Sequence, residues 1–224
     1  MFTFKSIHAD SLTVVVNKLP PFKNAEKKIR TYHIDGSNRT EVEELGYQSY
    51  TLPYEITLKD STQLDDVKVW LNGSGVLIRD DDNTKYLNAS VYSELSIDKF
   101  KGIATGSCEF FIANPFRYLL NEADATLTAP TNVLNLGTYY SEPLLKITGS
   151  GVVNITVGDY SFTYNFGGDS EVYIDSEIKE AYLGSTLKNR QMTGDFPLLN
   201  VGSNSVSWTG DVTEIVITQR TRFL

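Results

Sequence analysis

The stretch Val152-Val153-Asn154-Ile155-Thr156-Val157-Gly158-Asp159-Tyr160-Ser161-Phe162-Thr163-Tyr164-Asn165-Phe166 carries the clearest structural signal in the chain. Val153, Ile155 and Val157 alternate with polar residues, Gly158-Asp159 supplies turn chemistry, and Tyr160, Phe162, Tyr164 and Phe166 alternate again. Period-two alternation on both sides of a Gly-Asp pair predicts a β-hairpin with one face buried. Downstream, Val206 and Trp208 alternate with serines, Thr209-Gly210-Asp211 reads as a turn, and Glu214–Thr218 closes with a β-branched run. Upstream, Gly149-Ser150-Gly151 reads as a turn between strands. The second half is therefore expected to be all β.

In the first half, Tyr54, Ile56 and Leu58 alternate with Glu55, Thr57 and Lys59, a half-buried strand whose beginning Pro53 marks. One short helix is expected. Thr62 with Asp65 resembles a capping box, Leu64, Val67 and Leu71 fall at i, i+3 and i+7, and Asn72-Gly73 ends the pattern. Val67, Val69 and Leu71 also alternate, so a strand is the rival reading, and either way Trp70 belongs to the core. Between Asn114-Pro115 and Pro143 periodicity is lost and Asn, Ala, Thr and Pro accumulate, which reads as a linker. The boundary falls near Ala123–Pro130, giving domains 1–125 and 126–224.

Composition removes several function classes. With 224 residues, 41% hydrophobic and 21% charged, the chain can bury about 70% of its unfolded surface without metal or disulfide staples. The longest aliphatic run, Leu12–Val16, is interrupted by Thr13 and is far too short to cross a membrane; no export or lipidation signal is read at Met1–Asp10. Cys108, the one cysteine, sits beside Phe110 and Phe111 and reads as a buried thiol. Up to Leu120 there are 14 Lys and Arg against 16 acids; beyond it, 6 against 12, so the halves carry −2 and −6 of the net −8. Phosphate binding needs clustered cations, and the densest cluster, Lys23–Arg30, is short and mixed.

Catalytic and metal signatures are missing. There is no G-x-S-x-G elbow, and His8 and His33, the only histidines, stand at no ligand spacing. Asp80-Asp81-Asp82-Asn83 invites a calcium reading, but an EF-hand loop would place Gly at Lys85 and Glu at Val91, so a solvated hairpin tip is the better account. Paired carboxylates for glycoside hydrolysis carry no sequence signal. The 13 tyrosines lie mostly at alternating strand positions, favouring core or subunit packing over a sugar platform. No catalytic, cofactor or metal residue is assigned.

Several ordered motifs point further. Gly194-Asp195-Phe196-Pro197-Leu198-Leu199, Val201-Gly202-Ser203-Asn204, Trp208-Thr209-Gly210 and the terminal Thr221-Arg222-Phe223-Leu224 resemble the C-terminal signature of the distal tail protein (Dit) family of siphophages, the long-tailed, non-contractile bacteriophages. Pro143–Ile147, Gly149–Gly151 and Ile174-Asp175-Ser176-Glu177 fit the same domain. In the first half, Gly36, Arg39, Trp70-Leu71-Asn72-Gly73 with Gly75, Asp80–Asp82 leading into Tyr86, and Phe110-Phe111-Ile112-Ala113-Asn114-Pro115-Phe116 keep the family's order. The Asn38-Arg39 region lacks the Gly-Arg-Asp-Gly type of turn found in many relatives, and there are no large insertions of the kind that carry extra carbohydrate-binding modules.

The resemblance implies a mainly β chain: an N-terminal β-sandwich or barrel belt domain with a short helix, then a C-terminal galectin-like, jelly-roll β-sandwich. It implies a non-enzymatic virion protein of the tail tip, made in the host cytoplasm. Six copies would form a ring around a DNA channel, joining the tail tube protein to the tail-associated lysin or hub of the baseplate, with a periphery that can carry receptor-binding proteins for host attachment. No cofactor, specific nucleic-acid binding or membrane insertion is implied. The alternative reading is a cell-wall carbohydrate-binding module. No sugar site can be placed on numbered residues of Ala129–Leu224, so no appreciable saccharide affinity is expected there.

Overall fold

Tyr54, Ile56 and Leu58 point inward from one strand, and the first half of the chain builds its core around that row. The computed structural model describes residues 1–224 and divides into two units, Met1–Leu120 with Leu224, and Asn121–Phe223. In the first unit the strands are β1 (Phe2–Phe4), β2 (Ile7–His8), β3 (Val14–Lys18), β4 (Lys27–His33), β5 (Thr40–Tyr47) and β6 (Tyr50–Leu58). Helix α1 (Leu64–Trp70) follows, then β7 (Gly73–Arg79), β8 (Asp82–Val91), β9 (Ser96–Phe100), β10 (Ile103–Ile112) and β11 (Arg117–Leu119). The main sheet runs β2-β1-β7-β8-β10-β6-β3, with β9 on β10 and β11 on β8, while β4 and β5 pair only with each other.

Aromatic side chains fill this first core. Phe110 meets Phe2, Phe4 and Tyr54 edge-on at centroid distances of 5.0–5.4 Å, an arrangement the ring quadrupoles favour. The expected helix is present and lays Val67 and Trp70 on the core; the Trp70 indole N–H donates to the Phe4 carbonyl at 2.8 Å and its ring stacks on Phe2. Its start differs from the expected capping box. Asp60 is the cap, its carboxylate accepting from the Thr62 amide at 2.9 Å and the Thr62 hydroxyl at 2.7 Å, so a 3-10 turn at Ser61–Gln63 leads into α1. Pro53 lies inside β6 and does not begin it. The β3 ladder ends at the Lys18–Glu55 pair, so Pro53 faces no β3 partner that its missing N–H could deprive. Cys108 is buried as expected, and burial pushes its thiol up to about 12.

The second unit holds β12 (Ala125–Leu127), β13 (Thr131–Asn135), β14 (Leu144–Val157), β15 (Tyr160–Asn165), β16 (Glu171–Asp175), β17 (Glu180–Leu183), β18 (Thr186–Leu187), β19 (Met192–Gly194), β20 (Gly202–Thr218) and β21 (Arg222–Phe223). The expected hairpin is β14–β15, with Val153, Ile155, Val157, Phe162 and Tyr164 all buried. The stretch read as a linker instead contributes β11, β12 and β13, and the latter two pair with β20. These strands are too short for periodicity to declare them.

Two expected turns are absent. Gly149-Ser150-Gly151 lies within β14 and Thr209-Gly210-Asp211 within β20, and the two strands pair from Leu144–Thr218 to Val157–Val206 with register shifts at Thr148/Gly149 and Ser150/Asn154. The glycines serve a bend. Gly210 has φ +96°, and a Cβ there would stand 2.7 Å from the Val152 carbonyl oxygen. On either side of the bend the strands take different neighbours: Leu144–Thr148 pairs with β16, Val152–Val157 with β15. One bent two-strand ladder thereby feeds both layers of a sandwich. Leu145, Ile147, Ile215 and Ile217 from one side join Val153, Ile155, Phe162 and Val206 from the other in a single core. No helix is long and apolar enough to cross a membrane.

Gly210→Ala should therefore destabilise the second unit by about 1–3 kcal/mol through backbone strain and the close carbonyl. In a Trp70→Phe background the fluorescence of Trp208 reports urea unfolding of that unit; an unchanged midpoint would show that the bend does not depend on the glycine.

Candidate functional site

Ribbon β4–β5 pairs with no other strand, and every residue in it except Tyr47 at its base is exposed. Its sequence alternates, and the register sorts it into two faces. One carries Ile29, Thr31 and Val42 with the Lys27–Glu44 ion pair; the other carries Tyr32, whose hydroxyl donates to Glu43 at 2.7 Å beside Arg30. Ile29, Ile34 and Val42 remain 52%, 54% and 55% exposed. A two-stranded ribbon is marginal in water by itself; here cross-strand ion pairs supplement the ladder and the apolar side chains stay exposed. The turn closes through the Ser37 amide to the Ile34 carbonyl, which places Asn38-Arg39 at the tip.

The root of this arm is pinned. Arg79, 5% exposed, donates to both oxygens of Asp81 at 2.9 and 2.7 Å and to the Pro20 carbonyl at 2.8 Å. The Phe22 ring covers the Arg79 guanidinium at 4.2 Å, a cation–π contact. Asp82 accepts from Arg117 at 2.7 Å and Lys85 at 3.1 Å. Tyr47 meets Phe116 edge-on, and the Gln48 amide bonds the Glu26 carbonyl across the base. The strap Leu19–Ala25 is thus tied to the β7–β8 turn before the ribbon leaves the sheet.

The outer face of the main sheet exposes apolar side chains at two separate places. Tyr92, 73% exposed, stands at the Phe111 end of β10, and Phe100, 72% exposed, pairs with Ile103 at the other end of that strand. Tyr92 leans toward Phe111 at 6.3 Å, its hydroxyl held by Ser74.

The acidic run Asp80–Asp82 forms a hairpin tip as expected, but it is not simply solvated. Each carboxylate has a cation: Asp80 the N-terminal amine at 3.3 Å, Asp81 Arg79, and Asp82 Arg117 and Lys85. His8 contacts Asp80, while His33 stands in β4 near Thr40, so the two histidines occupy separate elements. No group of three or more His, Cys, Asp or Glu side chains converges. Of the four cations in the Lys23–Arg30 cluster, Lys27 and Arg30 pair with Glu44 and Glu43 within the ribbon.

Burial pushes the Asp82 carboxyl up, but hydrogen bonds and charge from Lys85 and Arg117 outweigh it and hold the group below the ordinary range. Stability from a depressed carboxyl is complete above the unfolded value of about 3.9 and disappears as pH falls through the folded value. Asp82→Asn should lower stability at neutral pH by about 1–3 kcal/mol and flatten the loss on acidification below about pH 4. Urea midpoints from pH 7 to 2 check both; a variant as acid-sensitive as the parent would remove Asp82 from the anchor.

No family model matches the chain, and no curated protein sequence does. Among solved structures, the SPP1 Dit protein (gp 19.1), described as a paradigm of the hub adsorption apparatus in Gram-positive infecting phages, aligns over 100% of this chain and 98% of its own, with TM-score 0.75 and 11% identity. Chains in two structures of the phage P2 baseplate in its activated conformation, with Ca and with Sr, align at TM-scores 0.45 and 0.42, with 8% and 7% identity. They cover 92% and 95% of this chain and 90% and 92% of theirs. From end to end, the chain has the fold of the SPP1 Dit protein.

Proposed function

We propose that this chain is a structural tail-tip protein of a long-tailed phage, and that six copies close into a ring through the β4–β5 arm. The observation that carries the reading is the arm: a ribbon with exposed Ile29, Ile34 and Val42, unpaired outer edges and an anchored root. The motif resemblance to distal tail proteins and the full-length fold likeness to SPP1 Dit support it. A closed ring of identical subunits needs two different complementary surfaces on each copy. The arm is one. The outer face of the main sheet, with Tyr92 at one end and the Phe100–Ile103 pair at the other, is the other, seating the arm of the next copy along its length.

In this role residues 1–125 make the belt around the channel and residues 126–224 the peripheral sandwich. One side of the ring meets the tail tube protein, the other the tail-associated lysin or hub, and the rim offers attachment to receptor-binding proteins. A chain of net charge −8 suits a lumen through which DNA slides without being held. The work is mechanical coupling, not catalysis.

Light scattering on the purified protein should give about 150 kDa, six times 25.0 kDa. The double variant Ile29→Asp/Val42→Asp should stay folded by circular dichroism and shift to a single subunit, because a charge in a desolvated apolar contact disfavours association. If the parent remains at one subunit even when co-expressed with its tail-hub partner, or the double variant still assembles, the arm does not build the ring.

A further inference from the structure

At the Phe111 end of β10 the outer face of the main sheet opens into a cleft of about 240 Å³, lined by Thr51, Tyr92, Ser93, Glu109 and Phe111. The β10–β6 register sets Phe111 beside Thr51 and Glu109 beside Pro53, which makes the floor. Tyr92, just past the end of β8, forms the wall: its ring stands 6.3 Å from that of Phe111, and its hydroxyl lies 3.3 Å from the Ser74 hydroxyl. Glu109 is the one charged side chain in the lining, is exposed and makes no ion pair.

A carboxylate beside two aromatic rings suits a guanidinium, whose flat face lies on the rings while its N–H edge meets the carboxylate. The same arrangement already occurs within the chain at the root of the arm, where Arg79 lies 4.2 Å from the Phe22 ring and donates to both oxygens of Asp81. At the other end of the arm stands Arg39. Its side chain is 79% exposed, and its ion pair, with Glu41 at 3.1 Å, is exposed on both sides. Such a pair is worth little, so Arg39 can leave it for a cleft that also offers aromatic surface.

Resting on the ring reading, we propose that Arg39 of each copy enters the Tyr92–Glu109–Phe111 cleft of the next and fixes the direction in which the arm is laid. The lengths agree. Strand β4 spans seven residues, about 23 Å, and Phe111 is eight positions from Ile103 along β10, about 27 Å. With its tip in the cleft, the ribbon runs along the face and brings its root toward the Phe100–Ile103 pair. At that end Lys101 stands over the Phe100 ring at 5.4 Å, so a cationic tip laid the other way would meet like charge.

The test is a charge exchange on the full chain, read as the concentration at which the assembly dissociates in light scattering. Arg39→Glu and Glu109→Lys, each folded by circular dichroism, should each raise that concentration about tenfold, and the two together should restore the parent value. Arg39→Lys should fall between, because an ammonium neither stacks nor forks. In a second measurement Asn38→Cys/Ser93→Cys should give oxidised ladders of up to six subunits on a non-reducing gel. An assembly indifferent to both single variants, or one that the exchange fails to restore, would overturn the pairing and leave the ring reading standing; a parent that stays a single subunit and gives no ladder would overturn both.

Discussion

The ladder between Lys27–His33 and Thr40–Tyr47 closes only on itself, and that constraint organises the rest of the first unit. Two strands leave both outer edges and both faces to solvent, so the backbone ladder of the ribbon has only exposed cross-strand ion pairs and a firm base to support it. The base is correspondingly heavy in charge. Arg79, Arg117 and Lys85 meet Asp81 and Asp82 beside Phe22, and each cation is partly withdrawn from water where its carboxylate is close enough to compensate. The aromatic core around Phe110 gives this anchor a rigid sheet to stand on.

Much of the fold was legible from alternation. Val152–Phe166 and Tyr54–Leu58 paired and buried the residues their periods named, and Val67 and Trp70 marked the inner face of α1. The misreadings share a cause. Gly149-Ser150-Gly151 and Thr209-Gly210-Asp211 look like turns because glycine reports a need for unusual backbone, and a bend inside a continuous pair creates the same need as a reversal does. Which of the two applies depends on what lies across the ladder, and a linear pattern does not contain that.

The arm was less visible. Its alternation, Ile29, Thr31 and His33 against Arg30 and Tyr32, is real, but charges dominate it and in sequence it reads as a cation cluster. The signal that could have found it is the matching acidic strand Glu41–Glu44 after the Asp35-Gly36 turn, since opposite charges across a hairpin pair directly. The tip Asp80–Asp82 and its neighbour Arg79 are adjacent in the sequence, whereas Arg117, which completes the anchor, lies 35 residues beyond Asp82. At 11% identity to SPP1 Dit, what the two chains share is this architecture and not its side chains.

Whether the arm is a subunit joint can be seen by electron cryo-microscopy of the purified protein. Ring particles with a central hole are expected, in which each β4–β5 ribbon lies along the outer face of the neighbouring copy's main sheet, between Tyr92 and the Phe100–Ile103 pair. Rings joined elsewhere, with the ribbons extended into solvent, would contradict it.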